Sequence, residues 1–80
     1  MVKPALFYLD LIAELHRSTR LPIAAYNVSG EYTMLIAAAE RGFGDLKEMV
    51  RESIFALNRA GADLIISYWS PRYNDLIADR

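Results

Sequence analysis

Three residues in this chain are of types that could act together on a small ketone bearing an acid group: Lys3, Ser29 and Tyr68. Lys3 lies among Met1, Val2, Pro4 and Ala5, and an amine there has two readings. One is a side chain that snorkels from an apolar wall to solvent. The other is a desolvated amine, held as the free base, that attacks a ketone and forms a Schiff base. Ser29 stands in Ala25-Tyr26-Asn27-Val28-Ser29-Gly30-Glu31-Tyr32, which closes an apolar run with a polar, glycine-containing turn. As an N-cap it would satisfy helix N–H groups. At the same helix terminus its hydroxyl is also a donor to a carboxylate or phosphate. Tyr68 follows Ser67 at another apparent strand end, where its ring either fills a layer of packing or aims a second hydroxyl at the same anion. Tyr26 reads as packing, and Glu31 as a first-turn glutamate favoured by the helix dipole. His16 has no second candidate ligand at metal spacing and reads as a surface residue.

Elements must bring such residues to one place. Val2-Lys3 has the character of a strand end, and Pro4 suits a loop or a first helical turn. Tyr8, Leu11, Ile12 and Leu15 then fall at helical spacing, with Asp10, Glu14 and Arg17 opposite. Leu21 to Val28 is short, apolar and bounded by turn residues, as a buried parallel strand is. Ser29 is expected to cap a helix running to about Glu40, stopped at Gly42-Phe43-Gly44. Asp45 is expected to cap the next, whose stripe is Leu46, Met49, Val50, Ile54 and Leu57. Ala60-Gly61 closes it, Ala62 to Tyr68 reads as a second complete strand, and Ser70-Pro71 starts a terminal helix. The order β(end)-α-β-α-α-β-α implies an α/β fold with a parallel sheet and right-handed crossovers. A closed (β/α)8 barrel needs about 250 residues, so the expectation is a slice of a TIM barrel, with residues 1–80 forming one partial domain.

Composition narrows the function classes. Eighty residues, 54% of them hydrophobic, make a chain short for its apolar content, which suggests a piece of a larger body or an obligate assembly. There is no cysteine, hence neither disulfide nor thiolate metal site, which fits a reducing compartment. Nine basic residues against ten acidic ones, well interspersed, argue against a nucleic-acid binder. No apolar stretch approaches the roughly 20 residues that span a bilayer, and the amino terminus does not resemble a signal peptide. The expectation is a soluble, intracellular protein with neither nucleic-acid nor membrane partners.

At the residues singled out, the chain resembles the carboxyl-terminal part of the porphobilinogen synthase family, also called delta-aminolevulinic acid dehydratase, which implies a C-terminal slice of its TIM barrel. The resemblance rests on Met1-Val2-Lys3-Pro4-Ala5 with Tyr8-Leu9-Asp10, on Leu21-Pro22 through Tyr32, and on Arg59-Ala60-Gly61-Ala62-Asp63-Leu64-Ile65. It implies a (β/α)8 lyase that condenses two molecules of 5-aminolevulinate to porphobilinogen in tetrapyrrole (heme and chlorophyll) synthesis. It implies that Lys3 is the Schiff-base lysine, and that Ser29 and Tyr68 bind the carboxylate of the substrate held there. It further implies a cytoplasmic homo-oligomer, plastid in a photosynthetic eukaryote. The family's zinc or magnesium is held through residues outside this segment, which itself binds no cofactor. The second active-site lysine and the oligomer-building arm also lie upstream of the matching stretch. Phe7, Trp69 and the tail from Pro71 to Arg80 depart from the family pattern. Three functions follow in order: a fragment of that lyase, inactive alone; a non-catalytic structural or interaction module derived from the barrel; another Schiff-base barrel lyase or aldolase.

Overall fold

Two short apolar runs pair in parallel at the centre of the computed structural model, which describes residues 1–78. Strands β1 (Ala24–Asn27) and β2 (Leu64–Ser67) are in register from Ala24↔Leu64 to Asn27↔Ser67. Val2 adds a third crossing: its N–H donates to the Ala24 carbonyl and its own carbonyl accepts from Tyr26 N–H, both at 2.9 Å. The expected strand end at Val2 is therefore part of the sheet. Both strands are shorter than the apolar runs that contain them. At Ile23 the N–H goes to the Asp63 carboxylate (2.8 Å) and the carbonyl takes the Asp63 and Leu64 N–H groups, so a side chain replaces the first rung of the ladder.

The helices cover one face of this sheet. Helix α1 (Leu9–Ser18) follows a 3-10 turn at Leu6–Tyr8; α2 (Ser29–Glu40) and α3 (Leu46–Ala60) follow β1. Val2, Ala5, Ile12, Ile23, Ala25, Leu57 and Ala62 form one core cluster, tying α1 and α3 to the sheet. Val50 and Ile54 of α3 form a second with Trp69, Leu76 and Ile77. Strand β1 alternates, with Ala25 and Asn27 buried and Ala24 and Tyr26 half-buried, and in β2 Leu64 and Ile66 are exposed. The expected strand buried on both faces is thus covered on one only. The apolar stripe expected of α1 divides in the same way: Ile12 is fully buried, whereas Tyr8, Leu11 and Leu15 are exposed.

Asp45 caps α3 as its sequence predicts, accepting from Glu48 N–H at 3.0 Å, and Gly61 ends that helix at φ +124°. Ser29 does not cap α2. Val28 occupies the N-cap position, in extended backbone, and Ser29 is the first helical residue, exposed, with its hydroxyl clear of the capping geometry. The terminal helix is also different from expectation. Trp69, not Ser70, holds the cap position of a 3-10 turn (Ser70–Arg72), with Pro71 in that turn, followed by a π-helical turn at Tyr73–Ile77. The adjacent Leu76 and Ile77 of this turn both reach the second core cluster. Asp79 and Arg80, the end of the expected helix, lie outside the described residues.

Candidate functional site

Strand register decides where the three candidate residues go. Val2 pairs with Ala25, so Lys3 leaves the sheet at the level of Tyr26. Asn27 and Ser67 are the last β1–β2 pair, with Ser29 two residues beyond the first and Tyr68 one beyond the second. Lys3, Ser29 and Tyr68 thus emerge at the carboxyl ends of three neighbouring crossings of one parallel sheet, the end where α/β proteins bind ligands. All three are exposed. They do not share one enclosed pocket. Lys3 lines a groove of about 500 Å³ with Met1, Val2, Pro4 and the α1 residues Tyr8, Leu11, Glu14 and Leu15. Tyr68 lines a separate hollow of about 320 Å³ with Tyr26, Ile66, Ser67 and Pro71, and Ser29 lines neither.

Tyr26 has a larger part than packing. Its phenol is held above the ordinary tyrosine range by a hydrogen bond with Tyr68, then by the charge Tyr68 carries when ionised, with desolvation the smallest contribution. The two hydroxyls therefore form a pair at the rim of the sheet. Tyr32 packs its ring against both Tyr68 (centroids 5.4 Å apart) and Trp69 (4.4 Å), which anchors the loop after β2. Trp69 is 1% exposed and fills the second core cluster.

Beneath these side chains runs a polar network that reading the sequence residue by residue misses. Glu31 is not a solvated first-turn glutamate: it is 2% exposed. Its Oε2 accepts from Leu6 N–H at 2.9 Å and its Oε1 from Asn27 Nδ2 at 2.6 Å. Asn27, 1% exposed, accepts through Oδ1 from Ser67 Oγ at 2.7 Å, and Ser67 Oγ accepts from Trp69 N–H at 3.1 Å. A signal was present in strand alternation, which puts Asn27 on the same face as buried Ala25, with Glu31 one helical turn further on. His16 is exposed and lies against Gly61. Among the described residues no three His, Asp or Glu side chains are grouped to hold a metal. None of their helices is long and apolar enough to cross a membrane.

The comparisons with known proteins agree with one another. The family model described as Delta-aminolevulinic acid dehydratase matches residues 1–76. The enzyme of that name from Chlamydia pneumoniae is 49% identical over 77 residues, covering 96% of this chain and 23% of the relative. That from Halalkalibacterium halodurans is 53% identical over 70 residues (88% of this chain, 21% of the relative), and that from Synechococcus elongatus 54% over 68 (85% and 21%). The crystal structure of the Toxoplasma gondii enzyme in complex with its reaction product porphobilinogen superimposes with a TM-score of 0.84 at 49% identity, covering 86% of this chain and 20% of that one. This chain therefore spans about a fifth of the length of the relatives it matches. The expected α/β class with parallel strands holds, and the matched region is a portion of the family's TIM barrel. With the match unbroken from residue 1 to residue 76 and about half of the aligned positions identical, the chain belongs to the delta-aminolevulinic acid dehydratase (porphobilinogen synthase) family.

Proposed function

We propose that this segment supplies the Schiff-base lysine and the carboxylate-binding hydroxyls of a porphobilinogen synthase, a lyase that condenses two 5-aminolevulinates with loss of water. The observation that carries the reading is the register that brings Lys3, Ser29 and Tyr68 to the carboxyl end of three adjacent crossings. Lys3 Nζ, as the free base, attacks the ketone carbon of 5-aminolevulinate. A C–N bond forms and the carbonyl oxygen takes up a proton; that oxygen then leaves as water, giving the imine. Ser29 and Tyr68 hydroxyls donate to the substrate carboxylate, and the amino terminus of α2 adds its dipole. Fixing the acid at a set distance from the amine holds the ketone in a reactive pose. Zinc or magnesium chemistry has no grouped ligands among the described residues, so no step here is assigned to it. The remaining walls of the pocket, and a homo-oligomer, are assigned to the part of the family's barrel that this chain does not span.

The test is a full-length enzyme in which residues 1–76 of this chain replace the matching segment of the Chlamydia pneumoniae relative. Borohydride reduction with 5-aminolevulinate should leave a covalent adduct on Lys3, found by peptide mass spectrometry and lost in Lys3→Ala. Labelling confined to another lysine with Lys3 unmodified, or equal labelling of Lys3 with unrelated keto acids, would reject the assignment in favour of a different Schiff-base lyase. The isolated 80-residue chain should form no porphobilinogen above the buffer rate.

A further inference from the structure

Glu31, Asn27 and Ser67 join the chain at the carboxyl ends of three neighbouring strand crossings, and each of those ends carries one of the residues assigned above. Leu6, whose N–H is held by Glu31, stands three residues after Lys3. Asn27 and Glu31 flank Ser29 at two residues on either side, and are bonded to each other. Ser67 and Trp69 flank Tyr68 directly, and the Ser67 hydroxyl accepts from Trp69 N–H while donating to Asn27. We infer that this hydrogen-bonded strap is a positioning device that sets the spacing between the Lys3 amine and the two carboxylate-binding hydroxyls, with Glu31 its central residue.

The physical argument is one of specificity. A buried carboxylate with two strong donors resists displacement, because either donor left unpaired is costly. Leucine at the same place would fill the space as well, and buried polar groups often add less net stability than an apolar replacement. What an apolar replacement cannot do is hold Leu6 N–H, the Asn27 amide and the Ser67 hydroxyl in one relative geometry. Glu31 and Asn27 are too deeply buried to touch substrate, so they act through their neighbours.

This inference rests on the proposed function, and its test separates the two. In the same full-length protein, imine trapping on Lys3 is compared for 5-aminolevulinate and for 1-aminobutan-2-one, the same aminoketone without its carboxylate. The preference for the acid should fall about tenfold in Glu31→Gln, which sets an amide N–H against a donor, and by a similar factor in Asn27→Asp, which sets two carboxylates together. The double variant Asn27→Asp/Glu31→Gln should recover the preference to within about threefold: the amide at 31 now donates to the carboxylate at 27, while the bonds from Leu6 and Ser67 survive. Equal loss for both ketones would mean a merely structural role, and no recovery in the double variant would mean that the bonding pattern does not matter. Either result overturns the strap. If the unsubstituted protein fails to label Lys3, the functional reading falls instead. The strap is then judged by amide exchange: Glu31→Leu and Ser67→Ala, which remove the acceptors, should expose the Leu6 and Trp69 amides while α3 stays protected, and unchanged protection overturns it.

Discussion

Tyr26 and Tyr68 line one hollow at the rim of the sheet, and their interaction has a measurable consequence. The Tyr26 phenol is raised above its usual value, so the folded chain holds that proton more tightly than the unfolded chain does. The resulting contribution to stability is complete at neutral pH and disappears as pH rises beyond about 10, through the folded value of Tyr26. Tyr68→Phe should return Tyr26 to the ordinary range, seen as a downward move in the tyrosinate absorbance titration; an unmoved titration would reject the pairing. Lys3 and Tyr68 could be singled out from the sequence because an amine or a phenol at a strand end is conspicuous chemistry. Glu31 could not be, since a first-turn glutamate has the same local sequence whether it faces water or is buried against a neighbouring loop.

At the scale of elements, the two expected helix caps give opposite predictions. Asp45→Ala removes an acceptor that holds Glu48 N–H and should cost about 0.5–2 kcal/mol. Ser29→Ala removes no cap and should change stability by less than about 0.5 kcal/mol while weakening capture of a carboxylate ligand. Denaturant melts of the two variants in the full-length protein decide the matter, and equal costs would restore Ser29 as a cap. Gly61 is a sharper case. At φ +124° a side chain is strained, and a Cβ there would stand 2.7 Å from His16 Cβ, so the α3–β2 turn is set by contact with α1. Gly61→Ala should destabilise by more than about 1 kcal/mol, and His16→Gly, which removes the Cβ at 2.7 Å and the ring atoms at 2.8 and 3.0 Å, should relieve part of that loss. Helix positions were legible because caps, glycines and 3.6-residue stripes are local signals. The π-turn was not, because Ser70-Pro71 is a local signal for a helix start, whereas the packing of Leu76 and Ile77 against α3 and Trp69 is a tertiary contact.

For the whole molecule the governing fact is a sheet covered on one face. Leu64 is 59% and Ile66 40% exposed opposite the helical layer, and Leu11 and Leu15 of α1 are uncovered as well. Apolar surface of this kind drives association. The isolated chain should therefore self-associate in a concentration-dependent way by light scattering, and Leu64→Thr/Ile66→Thr should raise its monomer fraction at least about twofold. A monodisperse monomer at high concentration would contradict this account. The sequence alone determined the α/β order, the parallel pairing, the crossing made by Val2, the cap at Asp45 and the strand-end positions of Lys3, Ser29 and Tyr68. These follow from periodicity and from turn and cap chemistry, which act over a few residues. Only the tertiary structure decided that one sheet face is bare, that Lys3 and Tyr68 line separate hollows, and that Glu31 joins Leu6, Asn27 and, through it, Ser67. The Leu6–Glu31 and Asn27–Ser67 bonds link residues 25 and 40 positions apart, where burial and bond partners depend on how the layers meet.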